Sequence, residues 1–177
     1  MTQPRKSPRA GFINYDYGDY FITTCTQNRK QFFGEIIDGE MLLNDVGRFL
    51  DKQLLRCSEF TDKVTVLQHV VMPNHLHAIV SVDAPISIEE MENGMDMRNP
   101  NPMQRIFSED RRHIPLLSKY VNSLKGAVTK FAKAHIPDFG WQSRYYDHLI
   151  RGTNDAKNIS EYIDKNISNW PSDEFNT

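Results

Sequence analysis

The chain has 177 residues, 39% of them hydrophobic and 25% charged, with a mean hydropathy of −0.57. These values exclude wholesale disorder, and no apolar run reaches the roughly 18 residues of a membrane-spanning helix. A net charge of −2 excludes a uniformly basic coat for nucleic acid, and two distant cysteines, Cys25 and Cys57, exclude a disulfide framework. No membrane association and no secretory signal are expected, which points to a cytoplasmic protein with reduced thiols.

In chain order, residues 1–14 read as a flexible basic arm with Arg5, Lys6 and Arg9. Tyr20 to Thr26 is aromatic and β-branched and predicts a strand, followed by a polar turn at Gln27 to Lys30. Leu42, Leu43, Val46, Phe49, Leu50 and Leu54 recur at helical spacing and predict a helix within Glu40 to Phe60, with Asn44 as one possible cap. Val64 to Met72 and His75 to Val82 predict two antiparallel strands around a Pro73-Asn74 turn. The stretch 83–115 loses periodicity and reads as a loop insertion, with a short helical turn at Ile86 to Met91. Leu116 to His135 predicts an amphipathic helix, Tyr145 to Arg151 a last strand, and Thr153 to Ile167 a last helix. Thr153 or Asn154 is its expected N-cap, with Asp155 in the first turn.

This order predicts an α+β domain over 15–170 with a tail over 171–177. Its expected form is a ferredoxin-like split βαβ sandwich: an antiparallel sheet with helices on one face, plus a C-terminal helix that would carry the chemistry.

Two features carry chemistry. In His75-Leu76-His77, strand alternation sends both imidazoles to one face and Leu76 to the other, which fits either half of a metal site or two half-exposed strand histidines. On the last helix, Tyr162 and Asn166 stand one turn apart on a shared face and can present a phenol and an amide oxygen to one site.

The stretches VVMPNHLHAIV, LSKYVNSLKGAVTK, WQSRYYDHLIR and EYIDKN, in that order, resemble the single-tyrosine HUH transposases, specifically the insertion-sequence-200-like and REP-associated tyrosine transposases. YFITTCTQNRKQFFGEI and GEMLLNDVG resemble the N-terminal part of that family. The resemblance implies His75 and His77 as ligands of a divalent metal, Mg²⁺ or Mn²⁺, Asn166 as a third polar ligand, and Tyr162 as the nucleophile. It implies a metal-dependent single-stranded DNA endonuclease and strand transferase, acting on single-stranded or hairpin DNA through a 5′-phosphotyrosine intermediate. Many relatives carry Asn-Pro where this chain has Asn166-Ile167. The family includes dimers with the tyrosine in trans as well as monomers, so a homodimer is one arrangement it allows. A non-catalytic, domesticated DNA-binding protein of the same fold is the alternative.

The near-neutral total hides a segregated charge. Residues 111–137 hold Arg111, Arg112, Lys119, Lys125, Lys130 and Lys133 with no acid, whereas 84–110 holds six acids and two arginines. Beside a strand-cleaving site, the basic row is expected to contact phosphates, with Arg144, while Trp141, Tyr145 and Tyr146 are candidates for stacking on unpaired bases, one of the two tyrosines being turned to the core by strand alternation.

Overall fold

Strand alternation sorts the first element, β1 (Tyr17–Cys25), into two faces: Tyr20 and Ile22 enter the main core, and Phe21 and Thr23 face the other way. The computed structural model describes residues 16–83 and 114–176. The arm over 1–14, the Ile86 to Met91 turn, Arg111 and Arg112 lie outside them. A tight turn at Gln27–Arg29 follows β1, with Asn28 and Arg29 both in the left-handed region at φ 55°.

The chain then departs from the expected helix. Glu40 to Leu43 is not helical: Gly34–Ile37 (β2) and Glu40–Leu43 (β3) form a hairpin. Its turn, Asp38-Gly39, takes positive φ at both residues (52° and 80°), as a right-twisted two-residue connection requires. Helix α1 (Asp45–Leu55) begins only there. Asn44 is its cap, and the Asn44 side chain accepts from the Gly47 amide at 3.0 Å.

β4 (Val64–Val71) and β5 (His75–Asp83) pair antiparallel across Pro73-Asn74, as the sequence predicts. α2 (Leu116–Lys133), β6 (Tyr146–Leu149) and α3 (Gly152–Asn169) complete the described elements. α3 starts before the expected Thr153 or Asn154 cap. Neither caps it; instead the Asp155 carboxylate accepts from the Arg151 amide at 2.8 Å and neutralises the helix start.

The sheet order is β4-β5-β1-β6, with antiparallel pairing between neighbours. β1 and β4 are therefore parallel with β5 between them, which is the split βαβ arrangement. α1 and α2 cover one face. Leu50 and Leu54 of α1 and Leu117, Val121 and Val128 of α2 bury against Ile22, Leu76, Ala78 and Val80. Each such aliphatic side chain contributes about 1.5–3 kcal/mol by leaving water. Phe49 stacks on Phe131 at 4.2 Å and ties the two helices together.

The opposite face receives α3. An irregularity in β4 between Val66 and Gln68 makes this possible. The extra residue, Leu67, breaks the alternation, so Val66 packs with the core while Gln68 turns towards α3. The Gln68 amide donates to the Ser160 carbonyl at 3.2 Å and to the Asp164 carboxylate at 2.8 Å. Along α3, Ile163 and the following Trp170 are buried, whereas Ala156, Ile159 and Ile167 are half-buried. Among the described residues, no helix is long and apolar enough to cross a membrane.

Candidate active site

β5 positions the two imidazoles. Leu76 is fully buried in the main core, which turns His75 and His77 to the α3 face. Both are essentially inaccessible, at 0% and 1% exposure, so they are not the half-exposed strand histidines that the spacing alone would allow. Burial lowers their pKa values, to about 3 for His75 and about 4 for His77; for His75 the proximity of His77 adds to the effect. Both rings are neutral at physiological pH and can offer lone pairs.

The Nε2 atoms lie 3.1 Å apart. The opposite ring nitrogens have fixed partners. His75 Nδ1 is 2.8 Å from the Asn74 Oδ1. The Asn74 amide nitrogen is already committed to the Arg29 and Phe175 carbonyls, at 3.0 and 2.7 Å. Asn74 Oδ1 therefore accepts, His75 Nδ1–H donates, and His75 Nε2 carries a lone pair. His77 Nδ1 is 2.8 Å from the Thr23 hydroxyl, which sits directly across in the β1–β5 register. A hydroxyl can donate or accept, so Thr23 serves either tautomer of His77. Thr23 and Asn74 carry no sequence signal of their own beyond adjacency to the His75-Leu76-His77 strand and cross-strand placement.

α3 supplies the other two groups. The Tyr162 hydroxyl lies 3.3 Å from His77 Nε2, within one chain. Its phenol is pushed up, first by burial and then by Asp173 and Glu174, while Asn166 opposes the shift. Asn166 is 1% exposed, and its Oδ1 has no hydrogen-bond partner of proper geometry, although its side chain lies within hydrogen-bonding reach of both His75 and Tyr162. A buried amide oxygen left unpaired costs about 1–3 kcal/mol and is free to accept a ligand. The similarly unpaired Thr24 Oγ1 and Tyr120 hydroxyl are not placed to do so beside His75 and His77. The donor set that converges here is two neutral imidazoles and one amide oxygen, which suits a divalent cation of Mg²⁺ or Mn²⁺ type. Among the described residues, no group of three or more His, Cys, Asp or Glu side chains is placed to hold a metal.

The C-terminal segment closes one side. Phe175 packs its ring on His75 at 4.5 Å and lies under the Arg29 guanidinium at 4.9 Å, and Arg29 also donates to the Glu174 carbonyl. The Phe21 ring stacks on His77 at 5.2 Å. The remaining histidines with carboxylate partners serve other contacts: His69 pairs with Asp51 at 2.8 Å and His148 with Asp155 at 2.9 Å.

The expected DNA contacts are placed differently from His75, His77 and Asn166. α2 packs on the sheet face opposite His75 and His77, so its lysines do not stand beside Tyr162. Lys119, Lys130 and Lys133 are exposed. Lys125 is half-buried and donates to the Gln142 carbonyl at 2.6 Å, and burial lowers its pKa. Trp141 is half-buried, 5.3 Å from Phe33 and 5.5 Å from Phe139, with its indole N–H donating to the Lys125 carbonyl. Its ring is thus engaged with the core and with Lys125, 5.5 Å away, whereas Arg144 is exposed.

Comparisons with known proteins follow this geometry. No protein-family model matches the chain. Over 173 residues, covering 97% of this chain and 92% of the relative, it is 31% identical to a protein of Haemophilus influenzae (strain ATCC 51907 / DSM 11121 / KW20 / Rd) that is itself described as uncharacterized. The solved structure of a REP-associated tyrosine transposase bound to a REP hairpin superimposes with a TM-score of 0.55 at 18% identity, covering 97% of this chain and 81% of that one. The mixed α+β architecture with its four-stranded antiparallel sheet is similar to the fold of that structure. The chain belongs to one protein family with its Haemophilus influenzae relative.

Proposed function

We propose that the protein is a metal-dependent single-stranded DNA endonuclease and strand transferase, a transposase that cleaves through a 5′-phosphotyrosine on Tyr162 and recognises hairpin DNA. The observation that carries this reading is the convergence of His75 Nε2, His77 Nε2, the unpaired Asn166 Oδ1 and the Tyr162 hydroxyl. The structural likeness to a transposase solved with a REP hairpin supports the same reading at the level of fold.

His75, His77 and Asn166 would hold the cation, and Thr23 and Asn74 fix the imidazole orientations. Mg²⁺ or Mn²⁺ bound there supplies Lewis acidity towards a non-bridging phosphate oxygen. Tyr162 supplies the nucleophile, held by its helix against His77. In the cleavage step the Tyr162 oxygen–phosphorus bond forms, the bond from phosphorus to the 3′ oxygen breaks, and the 3′ oxygen leaves as a hydroxyl after taking up a proton. The phenol releases its own proton to solvent. The phosphotyrosine ester keeps the energy of the broken bond, so a later 3′-hydroxyl reseals the strand without ATP.

The test is a denaturing gel with labelled hairpin-containing single strands from the gene's flanks and Mn²⁺. Wild type should give a protein-linked labelled species, and Tyr162→Phe should give none while still binding DNA. An adduct that persists in Tyr162→Phe defeats the assignment. Binding without cleavage by wild type would favour the non-catalytic alternative.

A further inference from the structure

Three aromatic rings run outward from the candidate site along the β1–β6 edge. The register places Tyr146 across from Thr23, and Thr23 shares a face with His77. Phe21 is the hub: it stacks on His77 at 5.2 Å and meets Tyr162 edge-on at 6.0 Å and Tyr146 at 6.4 Å. Phe21 is half-buried, and Tyr146 is 60% exposed on the terminal strand of the four-stranded sheet.

We propose that Phe21 and Tyr146 form a nucleobase-stacking subsite for the unpaired nucleotide next to the phosphate that Tyr162 attacks. This rests on the reading of Tyr162 as a DNA nucleophile. The occupant follows from continuity. Tyr146 is one ring from Phe21, and Phe21 touches both the nucleophile and a candidate metal ligand, so whatever approaches Tyr162 along this edge passes Tyr146. A base offers a π-face of matching size and stacks without regard to sequence. A phenol on a paired strand is a rigid platform that loses little side-chain entropy on contact. Arg144 before the strand and Arg151 after it add positive charge at both ends of the edge, while Asp147 lies in register with Ile22 and turns to the other face. Asp19 is the acid on the Phe21 face of β1, and it is exposed to solvent. Tyr146 thus acts as a positioning residue: it holds the flanking base so that the phosphate presents one face to Tyr162.

The experiment compares two fluorescein-labelled probes of equal length and charge, oligo(dT) and a strand of abasic phosphates, by anisotropy with the full chain. Wild type should prefer oligo(dT), and Tyr146→Ala should lose roughly tenfold or more of affinity for it with little change on the abasic strand. Tyr146→Phe and Tyr146→Trp should restore the preference, which a merely structural role would not produce. Equal affinities of Tyr146→Ala and wild type for oligo(dT) overturn the subsite. So does a wild-type dimer that Tyr146→Ala turns into a monomer in sedimentation, because the patch is then an interface between copies. The adduct gel of Tyr162→Phe reads the parent assignment separately: loss of stacking with the adduct intact removes only the subsite. An adduct that does not depend on Tyr162 removes the reading beneath it.

Discussion

Asn166→Leu separates an amide that serves a ligand from one that serves packing. Asn166 is 1% exposed and its Oδ1 is unpaired. Replacing it with a side chain of similar shape relieves a penalty of about 1–3 kcal/mol. Against this stands the loss of the amide's contact with the Tyr162 hydroxyl and His75, worth about 1 kcal/mol. The metal-free variant should therefore be as stable as wild type or up to about 2 kcal/mol more stable, raising Tm by up to about 6 °C in a chain of this size. The ligand effect has the opposite sign. At a hundredfold excess over Kd, a cation that binds only the folded chain adds about 2.7 kcal/mol, and the variant should lose most of that. Thermal unfolding with EDTA and then with Mn²⁺ measures both. A metal-free Tm well below wild type, or an unchanged Mn²⁺-induced rise, would refute the reasoning, since Asn166 would then be a packing residue.

Three further predictions follow from the same geometry. Burial holds His75 at about 3 and His77 at about 4, against 6.5 for a free histidine, so the unfolded chain takes up protons first as pH falls. Stability should be full above about pH 6.5 and decline towards pH 4 by up to about 1.4 kcal/mol per pH unit for each histidine. Urea unfolding across that window reads the slope, and a double variant, His75→Asn with His77→Asn, should flatten it. Thr23→Val keeps the shape but removes the partner of His77 Nδ1. It should weaken Mn²⁺ binding about tenfold or more by electron paramagnetic resonance titration, whereas Thr23→Ser should retain it. In α1, Gly47→Ala adds a good helix former yet would put a Cβ 2.1 Å from the Phe33 carbonyl oxygen. A loss of about 1–3 kcal/mol in denaturant unfolding is expected, and a gain in stability would contradict the packing of the hairpin against α1.

What the sequence disclosed depended on how local the signal was. The faces of His75 and His77 follow from period-two alternation, and the shared face of Tyr162 and Asn166 follows from a four-residue step, so each half of the site was legible. Their meeting was implied by resemblance to a family and by nothing in the spacing, since it requires α3 to cross β4 and β5. The anchor for that crossing, Gln68, faces α3 because of an irregularity in a strand whose polar and apolar residues do not alternate regularly, so the sequence does not locate it. The hairpin over Gly34–Leu43 was missed because Leu42 and Leu43 extend the helical spacing of α1. Asp38-Gly39 between Ile37 and Glu40 was the available signal. Of the basic row, Lys119, Lys125, Lys130 and Lys133 fall on α2, but which sheet face that helix covers is a tertiary property, and it lies opposite the imidazoles. Asp155, not Thr153 or Asn154, satisfies the start of α3 because Gly152, at φ 83°, already turns the chain into the helix.

The most direct test of the central assignment is peptide mapping of the covalent protein–DNA species by mass spectrometry. A hairpin-bearing single strand is incubated with Mn²⁺ and wild-type protein, then trimmed with nuclease before proteolysis. The account predicts a nucleotide attached through its 5′-phosphate to the peptide containing Tyr162. A nucleotide on Tyr146, Tyr17 or any other residue, or cleavage with a free 5′-phosphate and no adduct, would contradict it.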